Sequence, residues 1–305
     1  MAPRDLAAAV VVVLIWGLNF IFIRQGLDEF TPFQLGAGRF ALTVFPLILW
    51  VARPRIPIRD LVLYSMFQGF GQFVLLFMAL SVGMSTALAS VIAQVQPFFT
   101  AVFAAIVLGE RWSRSLRVGF VIAAAGLTCF MLEAVSAVPG QSVTLAGIVL
   151  SLAAAAAWAA SNIVVRRLAA SGVRYDALGL VVWGAAVSSP CFVLASLLFD
   201  DPASHANWLH ASMAGWIAIV FQAWGATLIG YGLWTVLLKR YPASRVGPFS
   251  MGVPVIGVVA GMVWLGESVT PLQWLGTALI LLALGAVFAG PRVGLRRTVD
   301  GQRQR

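Results

Sequence analysis

The chain has 305 residues, of which 61% are hydrophobic and 10% are charged, and its formal net charge is +9. A soluble domain is about 45–50% apolar and about 25% charged, so this composition excludes a water-soluble protein and, equally, a disordered one. The positive charge falls in short clusters between apolar runs, which excludes a continuous nucleic-acid-binding face. The class that remains is a polytopic membrane protein.

Ten apolar runs predict ten membrane-spanning helices, because a helix needs about 20 apolar residues to cross a bilayer. The first run has no cleavage signal and continues through Trp16 and Asn19, so we expect a retained span and not a signal peptide. The short connections leave no room for a soluble domain. In chain order the predicted spans lie near Leu6–Ile23, Pro32–Val51, Leu61–Val82, Thr86–Leu108, Leu116–Leu132, Leu145–Leu168, Ala177–Phe199, Ser212–Leu238, Ala243–Leu265 and Pro271–Gly290.

The basic residues predict the orientation. Apart from Arg24 and Arg39, every lysine and arginine lies at the N-terminus, in the C-terminal tail or on an alternate connection between spans. Basic connections stay in the cytoplasm, so both termini are expected to be cytoplasmic in a bacterial inner membrane. The residues that carry this pattern are Arg4, Arg53, Arg55, Arg59, Arg111, Arg114, Arg117, Arg166, Arg167, Arg174, Lys239, Arg240, Arg245, Arg292, Arg296, Arg297, Arg303 and Arg305.

Two halves of the chain resemble each other. Leu108-Gly109-Glu110 matches Leu265-Gly266-Glu267 at an offset of 157 residues, and the same offset pairs Pro97 with Pro254. At an offset of 142 residues, Trp16 and Arg24 pair with Trp158 and Arg166.

The match predicts repeats at 1–138 and 139–305, the second ending in a basic tail at 291–305. Each repeat has five spans, so the second enters the membrane from the opposite side, as in secondary transporters. Pro97 and Pro254 would then be hinges, or alternatively static kinks.

Arg39 is the most informative polar residue inside a predicted span. It lies about seven residues, or roughly 10 Å, from the predicted periplasmic start of the second span. No Asp or Glu lies at that depth in any span. Because a charge in the bilayer is costly, the sequence predicts that a substrate carboxylate is its counter-ion. Two alternatives are a side chain that extends to the lipid headgroups and one that binds a neighbouring helix terminus.

Neutral amides and aromatic side chains complete the predicted binding site. Asn19 is expected near the depth of Arg39, Gln72 and Gln94 slightly deeper, and Asn162 nearer the cytoplasm. These amides could bind the ammonium and carboxylate groups of an amino acid; the alternative is hydrogen bonding between helices. The aromatic residues could contact apolar parts of a substrate, or simply pack against lipid. The candidates are Asn19, Gln72, Gln94 and Asn162, with Trp16, Trp158, Trp183 and Tyr231.

Titratable groups are missing where proton coupling would need them. Glu110 and Glu267 stand at helix ends and are expected to be capping residues. The absence of a mid-span acid or histidine favours a facilitator, or coupling through the charge of the substrate. The sequence shows no metal-ligand spacing around its two cysteines and two histidines, and no cofactor is expected.

Several short motifs in these spans resemble those of a known transporter superfamily. Trp16-Gly17-Leu18-Asn19-Phe20, Arg39-Phe40 and the two Leu-Gly-Glu helix ends resemble the drug/metabolite transporter superfamily, in the branch with two EamA domains. The resemblance covers the whole chain. It implies a carrier that exports amino-acid-like metabolites, with cysteine-pathway compounds such as O-acetylserine and cysteine as substrates.

Three other classes of function agree less well with the sequence. A multidrug or other metabolite efflux carrier of the same superfamily is the main alternative, although a carrier of cations would favour a buried carboxylate. A lipid-modifying enzyme would need an acid pair with basic ligands or a Ser-His arrangement, and neither is present. A structural bundle is disfavoured by Arg39 and the amides, and the sequence leaves a homo-oligomer open.

Overall fold

The computed structural model describes residues 1–136, 143–173, 175–241 and 243–302. All regular secondary structure in these residues is helical. The ten predicted spans are confirmed. The predicted boundary between repeats, at 138 and 139, lies outside the described residues, as do the last three residues of the predicted tail. In chain order the ten spans are Pro3–Leu27, Pro32–Leu49, Ile58–Ser81, Thr86–Leu108, Arg114–Ser136, Leu145–Ala170, Ala177–Phe199, Met213–Leu238, Gly247–Leu265 and Pro271–Phe288.

The flanking elements extend several spans. Span eight continues to Arg240, span nine is preceded by the short helix Ala243–Val246, and the helix of span ten continues to Gln302. Span two ends in a 3₁₀ turn at Leu47–Leu49. Two short helices, Pro202–Ala206 and Asn207–His210, connect spans seven and eight.

Spans three and eight each contain a π-helix. The wider turns occupy Ser65–Gly71 in span three and Phe221–Gly230 in span eight. An offset of 157 residues places the first segment inside the second, so the two interruptions occupy equivalent positions. Such turns leave backbone groups available to side chains and are frequent at functional sites.

Spans four and nine are interrupted just before their prolines. Span four consists of Thr86–Ala93 and Gln96–Leu108, and the main helix of span nine is Gly252–Leu265. Pro97 and Pro254 therefore lie in the first turn of a new helix and not in a helix interior. An amide in a first turn has no intrahelical acceptor, so Pro97 removes no hydrogen bond there. Pro254 differs, because the 3₁₀ helix Gly247–Met251 leads directly into its helix. For both prolines a hinge and a static kink stay predictions.

Small residues bring several spans into close contact. Gly126 of span five and Gly276 of span ten pack against each other, and a Cβ at Gly126 would lie 2.9 Å from the Gly276 carbonyl oxygen. Gly17 of span one packs in the same way against Ile256 of span nine. Helices in lipid associate through such close packing, because burying apolar surface gives no gain over lipid contact.

The two ends of the bundle differ in charge. The basic end holds the N-terminus, where Asp5 binds Arg240 at 2.6 Å and Tyr241 at 2.8 Å. The acidic end holds Asp28, Glu29, Asp200, Asp201 and Glu267.

Short hydrogen bonds tie the connections together at the acidic end. Glu29 accepts from the Ser212 hydroxyl and backbone amide at the start of span eight. Those bonds lower the pKa of Glu29 below its usual value, so this carboxylate is ionised at neutral pH. Asp200 accepts from Thr31 and Ser196, which joins spans two and seven.

The contact between spans five and ten predicts the effect of one methyl group. We expect Gly126→Ala to lower the free energy of unfolding by about 1–3 kcal/mol, because the new Cβ meets backbone that must shift. Gly232→Ala is the matched control, since nothing lies within 4 Å of a Cβ at that position. Unfolding in mixed detergent micelles, followed by circular dichroism, measures both. Equal stability of the two variants would contradict the packing described here.

Candidate functional site

A cavity of about 460 Å³ occupies the centre of the bundle. Its lining reaches the basic end at Tyr175, Ala177 and Leu238. Toward the acidic end it stops at Asn19 and the residues around it. Beyond that level the core is closed by side chains with no exposed surface, namely Phe77, Leu80, Leu88 and Ile92. The cavity is therefore accessible from the basic end and closed at the acidic end.

Most of the predicted site residues line this cavity. Trp183 is not among the lining residues; its indole Nε1 donates to the Val51 carbonyl at 2.9 Å, near the basic end of span seven. The structure thus places Trp183 in a helix-end contact, which corrects the sequence prediction for that residue. The predicted residues that line the cavity are Trp16, Asn19, Arg39, Gln72, Gln94, Trp158, Asn162 and Tyr231, together with Pro97.

Arg39 is 2% exposed, and its side chain does not extend to the headgroups. Its guanidinium carbon lies 3.7 Å from the centre of the Phe73 ring, and Nη2 donates to Thr227 Oγ1 at 3.0 Å. The Thr227 hydroxyl in turn donates to the Gln222 carbonyl at 2.9 Å, a bond across five residues that the π-helix permits. Both sequence alternatives for Arg39 are therefore wrong: the side chain is held among spans two, three and eight.

Part of the guanidinium group is left without a partner. Nε and Nη1 of Arg39 are buried and make no hydrogen bond, and the same is true of Asn19 Oδ1. Among the described residues that line the cavity there is no Asp, Glu or His. A buried charge without a counter-ion is costly, so the two guanidinium nitrogens require either water or an anionic ligand.

Gln68 connects neighbouring spans beside Arg39. Its side-chain nitrogen donates to Gln72 Oε1 at 2.8 Å and to the Tyr231 hydroxyl at 3.0 Å, and its oxygen accepts from Ser161 at 2.7 Å. This network joins spans three, six and eight without using a charged group. It fixes the cavity wall while leaving the positive charge of Arg39 uncompensated.

Aromatic side chains form another part of the cavity wall. The rings of Trp16 and Tyr231 lie 5.3 Å apart, as do those of Trp16 and Trp234. Trp16 Nε1 donates to the Ala226 carbonyl at 3.0 Å, which is in the π-helix of span eight. The indole therefore presents a fixed apolar face to the cavity.

Sequence reasoning missed two residues that position the site. Gln68 lies four residues before Gln72, and that spacing places both amides on one helix face, so it could have been found. Thr227 carries no such signal, because a threonine in an apolar span is common and its partner Arg39 is 188 residues away.

Comparison with known proteins decides the family. The sequence pattern of the EamA-like transporter family matches residues 5–132 and again residues 145–289. The chain belongs to this family. This EamA-like protein is therefore a transporter and not an enzyme. Its ten spans and its enterobacterial relatives place it in a bacterial inner membrane as a multi-pass protein.

Several relatives of this EamA-like transporter have names that state a function. A "Probable amino-acid metabolite efflux pump" of Salmonella typhimurium is 38% identical over 99% of this chain and 100% of its own length. A protein of the same name from Escherichia coli is 37% identical over 93% and 94%. A "Probable terminal-alkyne amino-acid exporter" of Streptantibioticus cattleyicolor is 28% identical over 97% and 95%.

A solved crystal structure shares the fold. Its TM-score with this EamA-like transporter is 0.63 at 18% identity, and the match covers 96% of this chain and 99% of the other. At that identity the likeness extends to the helical architecture alone.

The hydrogen bond from Arg39 to Thr227 predicts a stability effect. We expect Thr227→Val to lower the free energy of unfolding by about 1.5–3 kcal/mol, because it removes a hydrogen bond from a buried charge. Thr227→Ser keeps the hydroxyl and should retain most of the stability. The same micelle unfolding measurement compares them, and a valine variant as stable as the serine variant would contradict this role.

Proposed function

We propose that the protein exports small, carboxylate-bearing, amino-acid-like metabolites by alternating access, with O-acetylserine and cysteine among its substrates. The observation that carries the proposal is the buried guanidinium of Arg39, which has two unpartnered nitrogen atoms and lies beside a cavity whose described lining has no carboxylate. A substrate carboxylate would supply the missing counter-ion through charge-assisted hydrogen bonds.

The rest of the lining fits the other parts of such a substrate. The free Asn19 Oδ1 can accept a hydrogen bond from an ammonium group, and amide oxygens do so without a second fixed charge. The faces of Trp16 and Tyr231 provide apolar contact for a short side chain. The names of the enterobacterial relatives, which are amino-acid metabolite efflux pumps, support the same substrate class.

The orientation and the repeat belong to the same proposal. With the basic end in the cytoplasm, the present cavity is accessible to cytoplasmic substrate, as an exporter requires. Equivalent π-helices, equivalent breaks and two equivalent Leu-Gly-Glu ends support repeats at 1–138 and 139–305. Inverted repeats of this kind allow the inward-open and outward-open states to be near mirror images of one architecture.

A multidrug carrier is the second candidate. The cavity volume of about 460 Å³ is in the range that accommodates drug-sized ligands, and one wall is aromatic. Cationic drugs are disfavoured, because the positive charge of Arg39 would repel them and no described lining residue is acidic. This candidate therefore predicts neutral or anionic compounds larger than an amino acid.

Replacement of Arg39 tests the proposed binding site. In proteoliposomes loaded with labelled cysteine or O-acetylserine, we expect Arg39→Ala to reduce efflux to the level of protein-free liposomes. Loss of a charge-assisted bond costs about 1.5–3 kcal/mol, or roughly 10- to 150-fold in affinity. Arg39→Lys keeps the charge but not the planar donor pair, so intermediate efflux is expected. Normal efflux by the alanine variant, inserted at wild-type levels, would show that Arg39 does not bind the substrate.

The composition of the cavity also predicts how transport is coupled. Because its described lining has no acidic or histidine side chain, efflux from the same proteoliposomes is expected to be unchanged by an imposed pH gradient. A membrane potential should still affect any substrate that carries net charge. Efflux that follows the pH gradient with a zwitterionic substrate would require a proton site outside the lining described here.

A further inference from the structure

The two Leu-Gly-Glu motifs have the same local backbone structure. Gly109 and Gly266 end their helices in the left-handed region, with φ of 68° and 64°. The amide of Glu110 donates to the Ala104 carbonyl at 3.3 Å, and that of Glu267 donates to the Gly261 carbonyl at 3.1 Å. Both carboxylates thus leave the end of their helix in the same way.

Their carboxylates have different partners. Glu267 Oε1 accepts from the amide and the hydroxyl of Thr86 at 2.7 and 2.9 Å, and Oε2 accepts from the Ala87 amide at 2.9 Å. Glu267 therefore caps the first turn of span four from the end of span nine. The free amides and the dipole of a helix N-terminus both favour a carboxylate at this position.

Glu110, at the basic end, has an ion pair in place of a helix cap. Its carboxylate lies 3.1 Å from Arg166, and both side chains are about half exposed, at 48% and 46%. An exposed pair of this kind contributes little, because solvent screens it and two long side chains must be ordered. The same motif thus holds a strong contact at the closed end of the bundle and a weak one at the open end.

The internal match indicates what each glutamate would bind in the opposite conformation. The offset of 157 residues places Ala243, at the start of the region of span nine, where Thr86 stands in span four. The offset of 142 residues places Arg24 where Arg166 stands. In this structure Arg24 donates to the Leu80 carbonyl at 3.4 Å and pairs with Asp28 at 3.5 Å, so it is not bound to Glu267.

We propose that Glu267 and Glu110 are gate residues that seal opposite ends of the cavity in turn; this rests on the alternating access of the proposed function. In the present state, Glu267 joins spans nine and four and closes the acidic end. When the cavity opens at that end, Glu267 leaves Thr86 and pairs with Arg24. Glu110 leaves Arg166 at the same time and caps the beginning of span nine, which closes the basic end.

The packing around Glu267 fits a seal. Gly261 lies directly beneath its carboxylate, and a Cβ there would collide with Glu267 Oε2 and lie 3.0 Å from Thr86 Oγ1. One turn deeper, Gly257 packs on the Ser90 side chain, which has no exposed surface. Spans four and nine therefore pack closely along a seam formed by Ser90, Gly257 and Gly261, and the Glu267 cap lies at the acidic end of this seam.

The exchange of partners keeps the two states close in free energy. Each conformation has one capped helix start and one exposed Glu-Arg pair, so a cap that opens at one end is replaced by a cap that forms at the other. A two-state carrier needs such a balance, because a large difference would leave one state unpopulated. Removing one cap should therefore bias the equilibrium, and the two caps should bias it in opposite directions.

Cysteine labelling tests this without any substrate. In a background with Cys129→Ala and Cys191→Ala, Ser90→Cys reports on the seam between spans four and nine. A charged, membrane-impermeant thiol reagent is added from the acidic-end side of sealed vesicles. We expect Glu267→Gln to increase the labelling rate at least threefold, because it weakens the seal at that end. Glu110→Gln should decrease the rate at least threefold, because it removes the cap of the opposite state and that cap outweighs the exposed pair.

Two further variants complete the design. Glu29→Gln is the matched control, since Glu29 also accepts a backbone amide at the acidic end but binds span eight; its labelling rate should stay within twofold of the parent. The double variant Glu267→Gln/Glu110→Gln should return toward the parent rate, which a merely unfolded protein would not do. Labelling changes of the same sign for both glutamates, no change for either, or an equal increase for Glu29→Gln would overturn the proposal. A failure of efflux with intact opposite-sign labelling would instead contradict the substrate assignment alone.

Discussion

The buried guanidinium of Arg39 is the constraint on which the centre of this protein depends. Thr227 and the Phe73 ring satisfy part of the group, and two nitrogen atoms remain free. A charge in this condition is tolerated only where water or an anion can reach it, so the spans around it have to enclose a cavity. The same constraint explains why amides surround Arg39: a fixed carboxylate would neutralise it and compete with any anionic ligand.

Irregular helical turns make this arrangement possible within ordinary membrane spans. In a regular α-helix, a Ser or Thr hydroxyl reaches the carbonyl three or four residues before it, as Thr43 does with the Arg39 carbonyl. In the π-helix of span eight, the Thr227 hydroxyl instead donates to the Gln222 carbonyl five residues before it, and it accepts from Arg39. The corresponding turn in span three carries Gln68, the residue that connects the neighbouring spans. Both irregular segments therefore serve the cavity directly.

The two ends of the bundle show how one motif can give different contacts. The helix ends at Gly109 and Gly266 share the same backbone structure, because glycine adopts the left-handed conformation there without strain. The carboxylate that follows is capped onto a helix at one end and exposed at the other. At the closed end, spans four and nine pack closely enough for Glu267 to reach the first turn of span four.

The sequence by itself determined the ten spans, the alternation of basic connections and the depth of Arg39 and Asn19. These properties depend on composition and on the fixed rise of a helix, both of which are local. It also indicated the family, through short motifs that are weak individually and specific only in combination with the ten spans and the internal match. Which face each span turns inward was decided only by the tertiary structure, because most spans are apolar on every side and their periodicity does not orient them.

Particular residues show this limit. Trp183 and Trp158 are equally suitable for a cavity wall by sequence, yet helix rotation places Trp158 in the lining and Trp183 at the Val51 carbonyl. Thr227 has no distinguishing feature until span eight packs beside span two. The partner of Arg39 was thus fixed by long-range packing, and no local pattern in the sequence specifies a contact between two side chains 188 positions apart.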